Sequence, residues 1–181
     1  MVSYDISSLY TNIPVCETLE LTVNKAFAAG EVFQGFSRNL FREYLNLAVS
    51  HTYFLFKNVL FKQKDGLSMG NPLAPTLANL FLCNLETNYL DSCPIEYRPI
   101  YYRRYLDDIF AVFNKPENSE LFFNHISRAH QNIKFTMEKE VGGVLSFLDV
   151  KISRQDGKLT HAVYRKPTYT NLGYSFFAFS D

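Results

Sequence analysis

The chain has 181 residues, of which 47% are hydrophobic and 16% aromatic, which is enough for one core-forming domain. Its 18 basic and 18 acidic residues cancel, so the chain lacks the basic excess that marks a free-standing nucleic-acid binder. It shows no bilayer-spanning apolar run and no amino-terminal signal pattern, and its three cysteines without CxxC spacing favour a reducing, intracellular compartment.

The first part of the chain predicts a strand, two amphipathic helices and a hairpin. Gly30 is a helix-ending residue, and Ser37 is an N-cap candidate. Lys57 and Asn58 separate two β-rich runs and predict the hairpin turn. The predicted ranges are 1–5 for the strand, 17–29 and 37–49 for the helices, and 52–56 with 59–61 for the hairpin. We expect the second helix to bury its apolar positions, namely Leu40, Phe41, Tyr44 and Leu47.

A glycine-bearing loop, 63–72, follows the hairpin and leads into a third helix. Glycines before a helix let backbone amides approach an anion, although a loop that only needs flexible turns explains them equally well. The apolar stripe of this helix consists of Leu73, Leu77, Leu80 and Phe81. A second hairpin, a helix over 117–131 and strands over 134–140, 144–153 and 158–164 complete the prediction. The pattern predicts an α+β fold, with helices packed on one face of an antiparallel sheet, and no linker divides residues 1–181.

Two adjacent carboxylates, Asp107 and Asp108, stand at the tip of the second hairpin. Charges beside apolar strands are costly unless solvent or a cation neutralises them, and hard oxygen ligands suit Mg²⁺. A solvated turn is the alternative, because aspartate is common in turns. Asp5 also ends a strand beside a tyrosine. If the strands are neighbours, the three acids can hold two Mg²⁺ ions about 3.5–4 Å apart, which suits in-line phosphoryl transfer.

Six segments in order resemble the motifs of reverse transcriptases of the Penelope-like retroelement type. They are 2–14 (motif A), 63–79 (motif B), 104–110 (motif C, of the YxDD form), 134–138 (motif D), 145–150 (motif E) and 164–168 (the entry to the thumb). The resemblance implies a right-hand polymerase palm, and an RNA-directed DNA polymerase that transfers nucleotides to a primer 3′-hydroxyl.

The resemblance also implies a role for individual residues. The catalytic acids are Asp5, Asp107 and Asp108, which with Ile6 form the metal site for two Mg²⁺ ions, with Mn²⁺ as a substitute. The nucleotide-binding residues are Ser8, Leu9, Tyr10, Gln63 and Gly70, and the primer-binding residues are Tyr105, Phe147 and Leu148. Tyr10 matches the steric gate against a ribose 2′-hydroxyl, and with Tyr105 it points to DNA synthesis.

Four basic residues keep open interpretations. Lys134 or Lys139 could protonate the leaving pyrophosphate, and the sequence does not choose between them. Arg103 and Arg104 could contact template phosphates, or be solvated charges of the hairpin.

The implied partners are an RNA template, a DNA primer and deoxynucleoside triphosphates, with no membrane and a nuclear place of action. Relatives carry fingers before motif A, a thumb and often a GIY-YIG endonuclease, and we expect this chain to be a palm fragment lacking fingers and most of the thumb.

The alternative function is a non-catalytic retroelement remnant, at most a nucleic-acid or protein binding module; a viral-type RNA replicase palm ranks third. We expect poor solubility and very weak or undetectable polymerase activity from residues 1–181 alone, because few basic contacts would hold the template.

Overall fold

The computed structural model describes residues 1–30, 32–155 and 157–166. The helices are α1 (Leu9–Asn12), α2 (Val15–Ala26), α3 (Arg38–Ser50), α4 (Ala74–Asp91) and α5 (Pro116–Ile126). The strands are β1 (Val2–Ile6), β2 (Val32–Phe33), β3 (Phe36–Ser37), β4 (Tyr53–Phe56), β5 (Val59–Lys62), β6 (Tyr101–Tyr105), β7 (Asp108–Val112), β8 (Phe135–Lys139), β9 (Val144–Phe147), β10 (Val150–Gln155) and β11 (Lys158–Val163). None of these helices is both long and apolar enough to cross a membrane. Of the predicted thumb entry, Pro167 and Thr168 lie outside the described residues.

The central sheet has four antiparallel strands in the order β6-β7-β1-β8. Because side chains alternate along a strand, β1 buries Val2, Tyr4 and Ile6 on one face. These side chains join buried residues of α2, α4 and α5 in the main core, and Tyr4 donates a hydrogen bond to the Ser119 carbonyl at 3.0 Å. The predicted α+β fold is therefore confirmed, and the other face of the sheet, which we call the open face, is left for the site.

A second sheet, in the order β11-β10-β9, replaces the single strand that was predicted over 144–153. That prediction is wrong, because the chain reverses after Phe147 and Val150 pairs back with it. Leu148 occupies the turn with φ 54°, a left-handed conformation that leucine rarely adopts. Neither glycine nor proline marks this turn, so the sequence carries no ordinary signal for it.

Helix α3 begins as predicted but does not bury the predicted face. The Ser37 hydroxyl accepts a hydrogen bond from the Leu40 amide at 3.5 Å, which confirms the N-cap. Leu40, Tyr44 and Leu47 are 39%, 52% and 60% exposed, so their predicted burial is wrong. Phe41 is partly buried among aromatic rings, and Val49 is the buried residue of the helix. Helical spacing identifies an apolar face, but it does not say whether another element covers that face.

The hairpin β4–β5 turns at Lys57 and Asn58 as predicted. Their φ values of 48° and 61° are those of a turn whose twist matches the flanking strands. All eight strand residues are exposed, and the Phe54 and Phe61 rings stack with centroids 5.5 Å apart.

Two further expectations about helices are corrected, and one short helix is new. The helix predicted over 117–131 ends at Ile126, and the short helix α1 was not predicted. On α4, Leu77 and Phe81 are buried as expected, whereas Leu73 precedes the helix and is exposed.

Candidate active site

The open face carries a row of polar residues that crosses all four strands of the central sheet. Tyr105 pairs with Asp108, Asp108 with Asp5, and Asp5 with Thr136. Directly opposite residues of an antiparallel pair have Cβ atoms about 4.5–5.5 Å apart and share a face. The structure therefore brings Asp5 and Asp108 together across two neighbouring strands.

The β6–β7 turn places the third acid beside this pair. Asp107 lies in the turn, and its carbonyl accepts a hydrogen bond from the Ile6 amide at 3.1 Å. Ile109 and Ala111 are fully buried and anchor β7, so alternation directs Asp108 to the open face. The Ile6 side chain is buried and apolar, so only its main-chain oxygen could serve as a ligand.

The electrostatics of the acids indicate mutual repulsion. Burial and the charge of Asp107 raise the pKa of Asp5 above its ordinary value. Burial, then Asp107 and Asp5, raise the pKa of Asp108, while the Lys166 ammonium partly opposes that rise. A cation bound between these carboxylates would relieve the repulsion.

The donor set fits a divalent cation that completes its shell from a ligand. Within the described part of the chain, no group of three or more His, Cys, Asp or Glu side chains is arranged so that it could hold a metal ion by itself. Mg²⁺, however, commonly keeps waters and is bound by one or two carboxylates plus substrate phosphates. Asp5 and Asp108 offer that kind of incomplete oxygen set.

A groove of about 650 Å³ opens over the acids. Asp5 and Asp108 line it together with the predicted primer residues Phe147 and Leu148. Phe147 packs against Phe110 of the open face, with ring centroids 5.5 Å apart. The β9–β10 turn therefore lies over the same face as the acids.

The groove also contains residues that sequence reasoning did not assign to the site, among them Thr136, Ser146, Asp149 and Lys166. Alternation along β8 could have found Thr136, since it shares a face with Glu138. Lys166 carried no comparable signal, because its approach to the acids depends on the return of the chain after β11.

The other predicted primer residue and the predicted nucleotide residues lie outside that groove. Tyr105 is exposed on the open face, opposite Asp108. Ser8 has φ 51° and is exposed, whereas the Leu9 side chain is buried, so only the Leu9 backbone could contact a triphosphate. Tyr10 is half-buried and packs against the main core.

The loop 63–72 is attached to α1 and α2 by one backbone and one side-chain hydrogen bond. The Leu67 amide donates to the Tyr10 carbonyl at 2.7 Å. One Asp65 carboxylate oxygen accepts from the Val15 amide at 3.1 Å and thereby satisfies a free amide at the start of α2. The Gln63 side chain donates to the Asp65 carbonyl at 3.0 Å, and Gly70 is exposed.

The two arginines before the turn have opposite surroundings. Arg103 is exposed on the open face, 5.2 Å from the Tyr101 ring centroid, and remains a candidate for phosphate contact. Arg104 points to the helix face, where it pairs with Glu86 of α4. Both earlier interpretations of Arg104 are therefore wrong, because it is neither a solvated charge nor free to meet template.

The two candidate lysines also differ. Lys139 pairs with Glu120 of α5 and lies opposite the inward-facing Val2, on the helix side of the sheet. Lys134 is exposed, and its carbonyl accepts from the Ser7 amide at 2.9 Å, beside the start of α1.

Comparison with known proteins gives the fold and the family. Apo telomerase from Candida tropicalis, truncated from the C-terminal domain, superposes with a TM-score of 0.67 at 15% identity over 89% of this chain and 35% of that one. Telomerase from Candida albicans in complex with a fragment of telomeric RNA gives 0.65 at 10% identity, over 87% and 30%. This chain thus spans about a third of the length of those telomerase chains.

No curated protein sequence matches the chain. The family described as reverse transcriptase (RNA-dependent DNA polymerase) matches residues 1–171. With the polymerase-palm fold and nearly full coverage by the family, the chain belongs to the reverse transcriptases.

Proposed function

We propose that this chain is the palm of a retroelement reverse transcriptase of the Penelope-like type, which copies an RNA template into DNA in the nucleus by two-metal nucleotidyl transfer. The observation that carries the proposal is the cross-strand pair of Asp5 and Asp108, with Asp107 in the adjoining turn. The match of the reverse transcriptase family supports it, as does the telomeric RNA bound by the Candida albicans neighbour.

In this proposal, Asp5 and Asp108 hold divalent cations, and Asp107 adds negative charge beside them. Bound Mg²⁺ would activate the primer 3′-hydroxyl and neutralise charge on the triphosphate. Phe147 and Leu148 hold the primer end over the acids, from the wall of the same groove. Most of the rate enhancement then comes from positioning and electrostatics rather than covalent chemistry.

Lys134 is the better candidate for protonating the leaving pyrophosphate. It is exposed and stands two residues before Thr136, the partner of Asp5, at the position where the hydrogen bond from the Ser7 amide continues the pairing of β1 with β8. Its carbonyl contact with Ser7 brings it close to the proposed triphosphate contact at Ser8. Lys139 is excluded from this role because it lies on the opposite face, paired with Glu120.

Tyr10 should determine the choice of sugar. In any form of the protein that polymerises, Tyr10→Ala should reduce discrimination against ribonucleotides by about 10- to 200-fold, the range that one methylene group is worth in a binding pocket. Deoxynucleotide use should change little. Tyr10→Phe is the matched control, because it keeps the ring that would exclude the 2′-hydroxyl. Unchanged discrimination in Tyr10→Ala would assign the gate to another residue.

Primer extension tests the proposal. A labelled DNA primer on an RNA template is incubated with Mg²⁺ and deoxynucleotides, using the 181-residue chain and a form extended through any upstream reading frame. We expect the extended form to synthesise DNA and Asp108→Ala to abolish synthesis, with little or no product from residues 1–181. An extended form that binds primer–template without extending it would instead support the non-catalytic alternative.

A further inference from the structure

Arg104 is the centre of a nearly buried polar network behind the β6–β7 turn, which we call the acidic turn because it carries Asp107. Its side chain is 8% exposed and that of Glu86 is 15% exposed. Arg104 Nη2 donates to Glu86 Oε2 at 2.9 Å and to Asn79 Oδ1 at 3.1 Å. Nε lies 2.8 Å from Glu86 Oε1, although its N–H has no hydrogen-bond acceptor. Both partners belong to α4, so the network fixes β6 to that helix.

Two tyrosines complete the network around Glu86. Tyr102 donates to Glu86 Oε1 at 2.6 Å, and the Tyr89 hydroxyl lies 2.5 Å from the Tyr102 hydroxyl. Burial raises the pKa of both tyrosines, so both stay protonated and able to donate. Burial alone would lower the pKa of the Arg104 guanidinium, but the hydrogen bond and charge of Glu86 raise it. The Arg104 guanidinium therefore stays charged in this buried position.

The network reaches the turn itself through one contact. Arg104 Nη1 donates to the Leu106 carbonyl at 3.0 Å. Leu106 has φ 54°, a strained conformation that persists only where surrounding contacts impose it. On its other side, the turn is held by the hydrogen bond from the Ile6 amide to the Asp107 carbonyl.

We propose that Arg104 is a positioning residue. By binding both helix α4 and the Leu106 carbonyl, it fixes the β6–β7 turn, which carries Asp107 and leads directly into Asp108, relative to that helix. This inference rests on the proposed function in one respect, namely that Asp107 and Asp108 belong to the active site. Helix α4 begins directly after the loop 63–72, so the acidic turn and that loop are set by the same helix. Arg104 touches neither acid side chain; it acts through the Leu106 carbonyl.

The test separates positioning from stability with a double variant. Arg104→Met alone or Glu86→Gln alone leaves one buried partner uncompensated and should lower Tm strongly. Arg104→Met with Glu86→Gln removes both charges and keeps an acceptor for Tyr102, so Tm should recover most of the loss. The Leu106 carbonyl still lacks its donor in this double variant.

Two measurements on the 181-residue chain report the turn directly. Amide hydrogen exchange of Ile6 should become about tenfold faster in the double variant, the change expected for losing one supporting hydrogen bond. The dissociation constant for Mn²⁺, measured by electron paramagnetic resonance, should rise several-fold. Arg104→Lys should keep the ion pair with Glu86 and lose less Tm than Arg104→Met, yet show the same faster exchange. Arg42→Gln, which breaks the exposed pair with Glu20, is the matched control and should change nothing.

Parent-like Ile6 exchange and Mn²⁺ binding in both the double variant and Arg104→Lys would overturn the inference. If the proposed function is wrong, Asp108→Asn leaves the Mn²⁺ affinity unchanged. The exchange rate of the Ile6 amide would still show whether Arg104 positions the turn. If the double variant does not fold, Arg104→Lys carries the test alone.

Discussion

Asp108→Asn should abolish polymerisation while making the metal-free protein slightly more stable. A lost metal carboxylate removes several kcal/mol of transition-state stabilisation, so we expect a decrease of at least about 10³-fold in kcat in any polymerising form. Asp5→Asn should behave in the same way, because Asp5 is the cross-strand partner of Asp108. Mn²⁺ binding to the 181-residue chain should be lost in both variants.

The gain in stability follows from the direction of the pKa changes. The pKa of Asp108 is raised above its ordinary value of 3.8, so folding disfavours the charged carboxylate. This cost is absent below the ordinary pKa and develops as pH rises through the pKa of the folded protein. At pH 7 asparagine removes it, and since solvent partly screens the site we expect less than about 1 kcal/mol, or a Tm increase of about 1–3 °C.

Thermal melts with and without Mg²⁺ check both effects. The increase in Tm should disappear at pH 3, which lies below the raised pKa of the Asp108 carboxyl, so that this group is protonated in the parent. Added Mg²⁺ should stabilise the parent and not the variant. Glu43→Gln, at an exposed position of α3, removes a charge without approaching the site and serves as control. A metal-free Asp108→Asn protein that melts below the parent at pH 7 would contradict repulsion among the acids.

Gly66→Ala should destabilise the protein by about 3 kcal/mol, which lowers Tm by about 6–12 °C for a domain of this size. Gly66 has φ +83°, and a Cβ there would lie 2.6 Å from the Thr11 carbonyl oxygen. The atoms in conflict belong to the backbone, so no side chain can move aside. The loop 63–72 must shift instead, which breaks the bond between the Leu67 amide and the Tyr10 carbonyl.

Substitutions at two other glycines separate the cost of backbone strain from the cost of the steric conflict. Gly35 has φ +82° with nothing within 4 Å of its Cβ position, so Gly35→Ala incurs only backbone strain, about 1 kcal/mol. Gly30→Ala incurs neither strain nor conflict. Equal Tm values for Gly66→Ala and Gly35→Ala would show that the approach of the loop to α1 is unimportant.

Local signals were enough to predict several elements of the fold. The cap at Ser37, the turn at Lys57 and Asn58, and β1 ending near Asp5 depend on residues next to one another in the chain. The exposed face of α3 and the reversal at Leu148 were missed for a common reason. Both depend on what packs against the segment rather than on its own composition.

The candidate site likewise contains residues that could be predicted from the sequence and contacts that could not. Motif spacing identified Asp5 and Asp108, and alternation then explains why they share a face. The ion pair between Arg104 and Glu86 could not be predicted, since the two residues lie on different elements and each reads as an ordinary surface charge. Lys134 and Lys139 could be told apart only when β8 was paired with β1.

Because β1 lies in the centre of the sheet, the site can form only late in the synthesis of the chain. Its partners on β7 and β8 follow it by roughly 100 and 130 residues, so both pairings close long loops and raise the contact order. At about 5–20 residues per second, a ribosome needs several seconds or more after making Asp5 before Asp108 exists. During that time Val2, Tyr4 and Ile6 have no sheet to join, and they are available to chaperones or to misfolding. Products of interrupted synthesis that end before residue 108 would carry Asp5 without its partner and could not assemble the site.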